Sequence, residues 1–359
     1  MSEKIRIKWI DVVKCFGIFA IFIGHLGSAA GRVYPWVFTH HVAMFFFISG
    51  CSEAIAEHNS ICKTVVRVFK RILVPWLVFA VISIVVYILN GGYGADRVFT
   101  SLITVAKGTV RNRFYASSLW FLTCIAVMQV IFSVIKKVKI KPLILLICLI
   151  LTAVSCLVFK PIPIVEPKLV YNIDSALFYI SFYAIGYVTF PYLQKLLNSP
   201  KRRAKIAVAL TGVFSLAYAA LVFFGKDPLA RMGGLYSLIS VREVLRPLVI
   251  IWGYIVIAKL LENIPLLNSI GQNTLYLCGS EYIAKTVFVA LIAVFGLKLD
   301  FSAGLTAYAY TALLLVAVNR FLVPLEKKLF DAIYKFPATL FEKKYADSQA
   351  ANTSDNINA

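Results

Sequence analysis

The chain has 359 residues, is 60% hydrophobic and only 15% charged, and carries a formal net charge of +20. Soluble domains are nearer half apolar and a quarter charged, so this composition excludes an ordinary globular protein and implies a polytopic membrane protein. The excess of Lys and Arg is then the signature of basic cytoplasmic loops facing anionic lipids, and no nucleic-acid partner is expected. Seven cysteines lie mostly inside apolar runs without a C-x-x-C pair, which predicts neither a disulfide framework nor a metal site.

At about 20 apolar residues per crossing, ten spans are expected, near 9–30, 35–57, 72–90, 119–136, 142–159, 175–193, 206–224, 241–261, 273–296 and 303–324. The fold class is therefore all-α, a transmembrane helical bundle. The first run follows Lys4, Arg6 and Lys8 as a signal peptide would, but Asp11 and Lys14 interrupt it and further spans follow, so it reads as a retained helix. Basic clusters at Lys63–Arg71, Lys136–Lys141 and Lys195–Lys205, with the basic N-terminus and Lys327, Lys328, Lys335, Lys343 and Lys344, predict both termini in the cytoplasm. Residues 1–330 form one membrane unit and 331–359 a tail, whose polar end from Asp347 to Ala359 is expected to be disordered.

Span one, W-I-D-V-V-K-C-F-G-I-F-A-I-F-I-G-H, holds Asp11, Lys14 and His25. Lys14 and His25 are three turns plus about 20° apart, so they share a helix face roughly 16 Å apart along the axis. Ionisable groups in hydrocarbon face a bundle interior or a wet cavity. Asp11 equally reads as a headgroup-level anchor. In span two, T-H-H-V-A-M-F-F-F-I-S-G, His41, Phe45 and Ile48 share one face. His40 and His41 lie near the outer level, where His41 either meets His25 or is simply interfacial. Phe45, Phe46 and Phe47 read as lipid-facing and packing residues.

The run R-V-F-K-R-I-L-V-P-W ends a cytoplasmic loop and opens span three. Arg67, Lys70 and Arg71 are candidates for holding an anionic cosubstrate, with ordinary loop charge as the alternative. Trp120 opens span four, either as belt chemistry or lining an acceptor site. Arg242 and Arg246, at i and i+4, mark the outer interface or face an acceptor. In span nine Glu281 and Lys285 are spaced to pair with each other, and Glu281 is otherwise a partner for His25.

These stretches resemble the integral-membrane acyltransferase type 3 family. The D-x-x-K-x(10)-H pattern (Asp11, Lys14, His25) is similar to the family's Arg/Lys–ten-residue–His signature. H-V-A-M-F-F-F-I-S-G at 41–50, K-R-I-L-V-P-W at 70–76, L-W-F-L at 119–122 and I-G-Q-N-T-L-Y at 270–276 follow in the family's order. Two departures stand out. Lys14 occupies a position where arginine is commoner, and Cys278, Gly279, Ser280 and Glu281 stand where the ninth helix often reaches a histidine.

The resemblance implies transfer of an acyl group, commonly acetyl, from cytoplasmic acyl-CoA (acetyl-CoA) as cosubstrate to a hydroxyl of a cell-surface glycan or lipid-linked sugar, in a multi-pass cell-membrane protein surrounded by lipid. In that reading His25 is the general base, Glu281 or His41 orients it, and Lys14, Arg67, Lys70 and Arg71 hold the donor. Trp120, Arg242 and Arg246 then face the acceptor. No metal is expected. The alternative is a proton-coupled transporter or exporter of a glycan or lipid, which needs the same buried Asp, Lys, His and Glu.

Overall fold

A computed structural model describes residues 6–56, 60–91, 97–111, 113–114, 117–159, 169–231, 241–296 and 304–335. It is helical, with no strand among the described residues. Among the described residues, ten principal helices match the ten apolar runs: α1 (Lys8–Gly24), α2 (His41–Ile55), α3 (Ile61–Leu89), α4 (Trp120–Val138), α5 (Lys141–Val158), α6 (Val170–Leu197), α7 (Arg202–Phe223), α8 (Glu243–Leu261), α9 (Thr274–Val294) and α10 (Leu305–Lys335). The last eight are long and apolar enough to cross a membrane. Large apolar side chains such as Leu89, Phe214, Val294 and Leu305 face outward. Such an exterior is stable only against hydrocarbon, where every backbone polar group must be satisfied inside its own helix.

The first two helices are shorter than the runs that predict them. α1 has 17 residues and stops at Gly24, because Gly27 and Gly31 take left-handed backbone angles and turn the chain. α2 has 15 residues and begins only at His41. Both are enclosed by the others. α1 packs against α2, α8, α9, α10 and the short helix Pro265–Gln272, and α2 lies along α6. Phe45, Phe46 and Phe47 are accordingly buried packing residues and do not face lipid.

Glycine permits the α2–α6 approach. A Cβ on Gly50 would lie 1.9 Å from the Tyr183 carbonyl oxygen, and one on Gly186 would lie 2.0 Å from that of Phe47. Small residues bring membrane helices into backbone contact in this way. The contact fixes which α6 residues face the interior beside α2.

Three helices, α3, α6 and α10, run well beyond their expected ends, α6 at both of them. α3 starts at Ile61, eleven positions before the predicted 72, and its segment Phe69–Leu73 is π-helical. Pro75, just beyond, has no N–H to give to the carbonyl four residues back, and the ladder widens there without breaking. α10 continues to Lys335, past the expected end of the membrane unit. The tail from 336, including Lys343, Lys344 and the stretch from Asp347, lies outside the described residues.

Candidate functional site

Two cavities occupy opposite ends of one interior seam. The first, about 410 Å³, is lined by His25, His41, Arg111, Trp120, Tyr179 and Tyr282, among others. The second, about 280 Å³, is lined by Lys14, Glu53, Arg67, Arg71, Gln129 and Tyr183, among others. The same helix faces serve both. α1 sends His25 to one and Lys14 to the other. α2 sends Val42 and Phe45 to one and Ser49, Ser52 and Glu53 to the other, and α6 sends Tyr179 and Tyr183, one turn apart. The predicted Lys14–His25 face is thus the seam itself.

Between the cavities Phe45 lies over Gly17, where a Cβ would come within 2.6 Å of its ring. The Phe121 ring stands 5.5 Å from that of Phe45 and 4.9 Å from that of Phe46. Aromatic rings therefore divide the seam.

In the first cavity His25 caps the C-terminal end of α1. Its Nδ1 lies 2.8 Å and 2.9 Å from the two carboxylate oxygens of Glu281 on α9. Glu281 is fully buried and also accepts a 2.6 Å bond from Lys285, which in turn donates to the Phe22 carbonyl at 2.9 Å. Both expected pairings of Glu281 therefore form together. A carboxylate so placed accepts only, so the His25 Nδ1 donates to it, and in the neutral imidazole the lone pair then lies on the other ring nitrogen. The Tyr282 ring packs 5.5 Å from the imidazole and fixes its plane.

His41 reaches the same cavity but is oriented elsewhere: its Nδ1 donates to the Val37 carbonyl at 2.6 Å. His40 hydrogen-bonds with Thr39 and Tyr254 and does not line the cavity. Trp120 lines the wall, and the Arg111 guanidinium stacks over its ring at 4.1 Å. Arg111 was not singled out by sequence, since a loop residue carries no periodic signal.

Arg246 is not brought to this cavity. It pairs with Glu243 at 2.9 Å and with Asp227 at 3.4 Å, a local ion cluster at the start of α8. The side chain of Arg242 lies outside the described residues.

Three basic side chains, Lys14, Arg67 and Arg71, and one carboxylate line the second cavity. Glu53 of α2 is held by Lys136, by Arg67 at 3.3 Å and by the Tyr183 hydroxyl at 3.5 Å. Arg71 reaches the wall from the π-helical turn of α3. Lys14 makes no hydrogen bond or ion pair among the described residues, so its side-chain nitrogen is open to a ligand. Lys70 points outward and contributes only its carbonyl, to the Tyr334 hydroxyl. Asp11 is buried, paired with Arg6 at 2.6 Å, and lines neither cavity. Glu53 was missed, although an acid inside an apolar span is a detectable signal. Among the described residues no three His, Cys, Asp or Glu side chains converge as metal ligands.

A multi-helix membrane bundle with a half-buried histidine on a buried carboxylate at one end of an internal seam and a cationic cavity at the other defines the class. The comparisons place it more narrowly: residues 7–319 match the acyltransferase 3 family, described as an acyltransferase domain, and the chain belongs to that family. It is a membrane acyltransferase. No curated protein and no solved structure matches it.

Proposed function

We propose that the protein transfers an acyl group, acetyl in the simplest case, from cytoplasmic acyl-CoA to a hydroxyl of a cell-surface glycan or its lipid-linked precursor. The observation that carries this reading is the His25–Glu281 pair, 2.8 Å apart on the wall of a cavity, at the far end of the same seam as Lys14, Arg67 and Arg71. The C-terminal ends of α2, α4, α6 and α8 lie at the Lys14 end, and the basic clusters that follow the first three favour the cytoplasmic side for it.

In this reading Lys14, Arg67 and Arg71 attract the donor's phosphates, with Arg suited to bidentate contacts. Glu53 holds Arg67 toward the cavity. Lys70 takes no part. The thioester passes along the seam, past the Phe45–Phe121 partition, to His25. The free nitrogen of His25 removes the acceptor hydroxyl proton as the oxygen attacks the thioester carbonyl. The carbon–sulfur bond breaks, the new ester forms, and the proton passes from the imidazolium to the departing thiolate. Glu281 keeps the imidazole in the tautomer that accepts a proton and stabilises the imidazolium, the role of a buried carboxylate behind a catalytic histidine. Trp120 and Arg111 form the wall on which a sugar ring would stack.

The test supplies radiolabelled acyl-CoA to inverted membrane vesicles containing the protein. Label is expected on glycan or lipid-linked glycan, and is lost in His25→Ala. Movement of glycan without consumption of acyl-CoA would replace this reading with a carrier.

A further inference from the structure

A third cavity, about 440 Å³, lies beside the first and takes no part in the chemistry above. Tyr87 near the end of α3, Arg97 and Thr100 at the start of the short helix Val98–Ala106, and Arg113 and Phe114 in the strap leading to α4 line it. The strap joins the two cavities: Arg111 turns into the His25 cavity and Arg113, two residues on, into this one.

Three observations define what the site would take. Two guanidiniums face one concave space, and among the described residues no carboxylate forms an ion pair with either. Each offers five N–H donors in a planar fork, the geometry that matches phosphate oxygens. The same elements carry some of the most outward-facing apolar side chains of the molecule, Leu89 at 81% and Phe99 at 72% exposed. An anion held here therefore stands next to the hydrocarbon face of the bundle. A small soluble anion has no use for that apolar flank, whereas an amphiphile with a phosphate head uses both.

We propose that this cavity binds the phosphate or diphosphate head of a membrane-embedded lipid, with Arg97 and Arg113 as the anion ligands and the chain lying along Leu89 and Phe99. The role as an anchor for a lipid-linked acceptor rests on the acyl-transfer reading above; the lipid-phosphate site itself does not.

The probe is farnesyl diphosphate, titrated against the full chain in phosphatidylcholine nanodiscs. Saturable binding is expected. Arg97→Gln and Arg113→Gln should each weaken it roughly tenfold, as for other hydrogen bonds to charged groups, and the double variant by more. Arg97→Lys with Arg113→Lys should retain part of the affinity, since charge remains while the fork is lost. An unchanged melting temperature of each variant shows that the fold is intact. Displacement by phosphatidylglycerol would identify bulk anionic phospholipid as the source, and resistance to it a dedicated lipid-linked carrier; both support a lipid-phosphate site. Equal binding by wild type and the double Gln variant, or no saturable binding, would overturn it. Binding is read without acyl transfer, so this failure leaves the proposed reaction standing, and a failed label assay leaves the site standing.

Discussion

Replacing Glu281 by Gln separates the chemistry of the His25 pair from its structural role. Gln is isosteric and keeps an oxygen that can accept from the His25 Nδ1, but it removes the charge facing the imidazolium. A hydrogen bond to a charged group contributes about 1.5–3 kcal/mol. At 1.36 kcal/mol per tenfold in rate, that predicts a fall in kcat of roughly 10- to 150-fold with little change in KM for acyl-CoA. The substitution also strands Lys285, whose side chain is only 12% exposed. Breaking a buried pair costs about 3–5 kcal/mol, toward the lower end here because Lys285 keeps its bond to the Phe22 carbonyl. The double variant Glu281→Gln with Lys285→Met removes both charges. It should recover thermal stability and leave the rate low. Acyl transfer by the purified variants, alongside melting temperature, decides the matter. A Glu281→Gln enzyme within threefold of wild type, or a double variant that recovers activity together with stability, would refute a catalytic role for the carboxylate.

The cationic cavity makes a sharper distinction than charge alone: Arg67→Ala and Arg71→Ala should raise KM for acyl-CoA about tenfold each, most strongly at low salt, while Lys70→Ala leaves it unchanged in the same titration. Gly50→Ala places a methyl group 1.9 Å from the Tyr183 carbonyl, and should lower thermal stability by about 1–3 kcal/mol or more by prising α2 from α6. Arg246→Ala should lower the melting temperature by stranding Asp227 and Glu243 and leave KM for the acceptor unchanged; a selective rise in that KM would return Arg246 to the acceptor site.

The helices were legible because hydrocarbon demands long apolar runs, and their order needed no tertiary information. The Lys14–His25 relation was legible for the same reason: helical periodicity fixes direction within one element. Glu281 was visible as an acid in an apolar helix, and its two candidate partners proved to be simultaneous. Glu53 carried the same signal and went unread. Other features depend on contacts between distant segments. Arg111 enters the cavity through the path of a loop, and Arg246 is diverted by Asp227, 19 residues away. The early stop of α1 and the π-helical turn before Pro75 are local. However, hydrophobic counting averages across such features, and a run of apolar residues does not reveal where its backbone bends.

In the proposed reaction, donor and acceptor reach His25 from opposite ends of the seam. Sealed vesicles with the Lys14 end outward, acceptor glycan inside and impermeant radiolabelled acyl-CoA outside keep the two substrates on opposite sides of the membrane. Labelled glycan is expected in the lumen, absent with His25→Ala. Label appearing only when donor and acceptor share one side of the membrane would contradict approach from opposite ends.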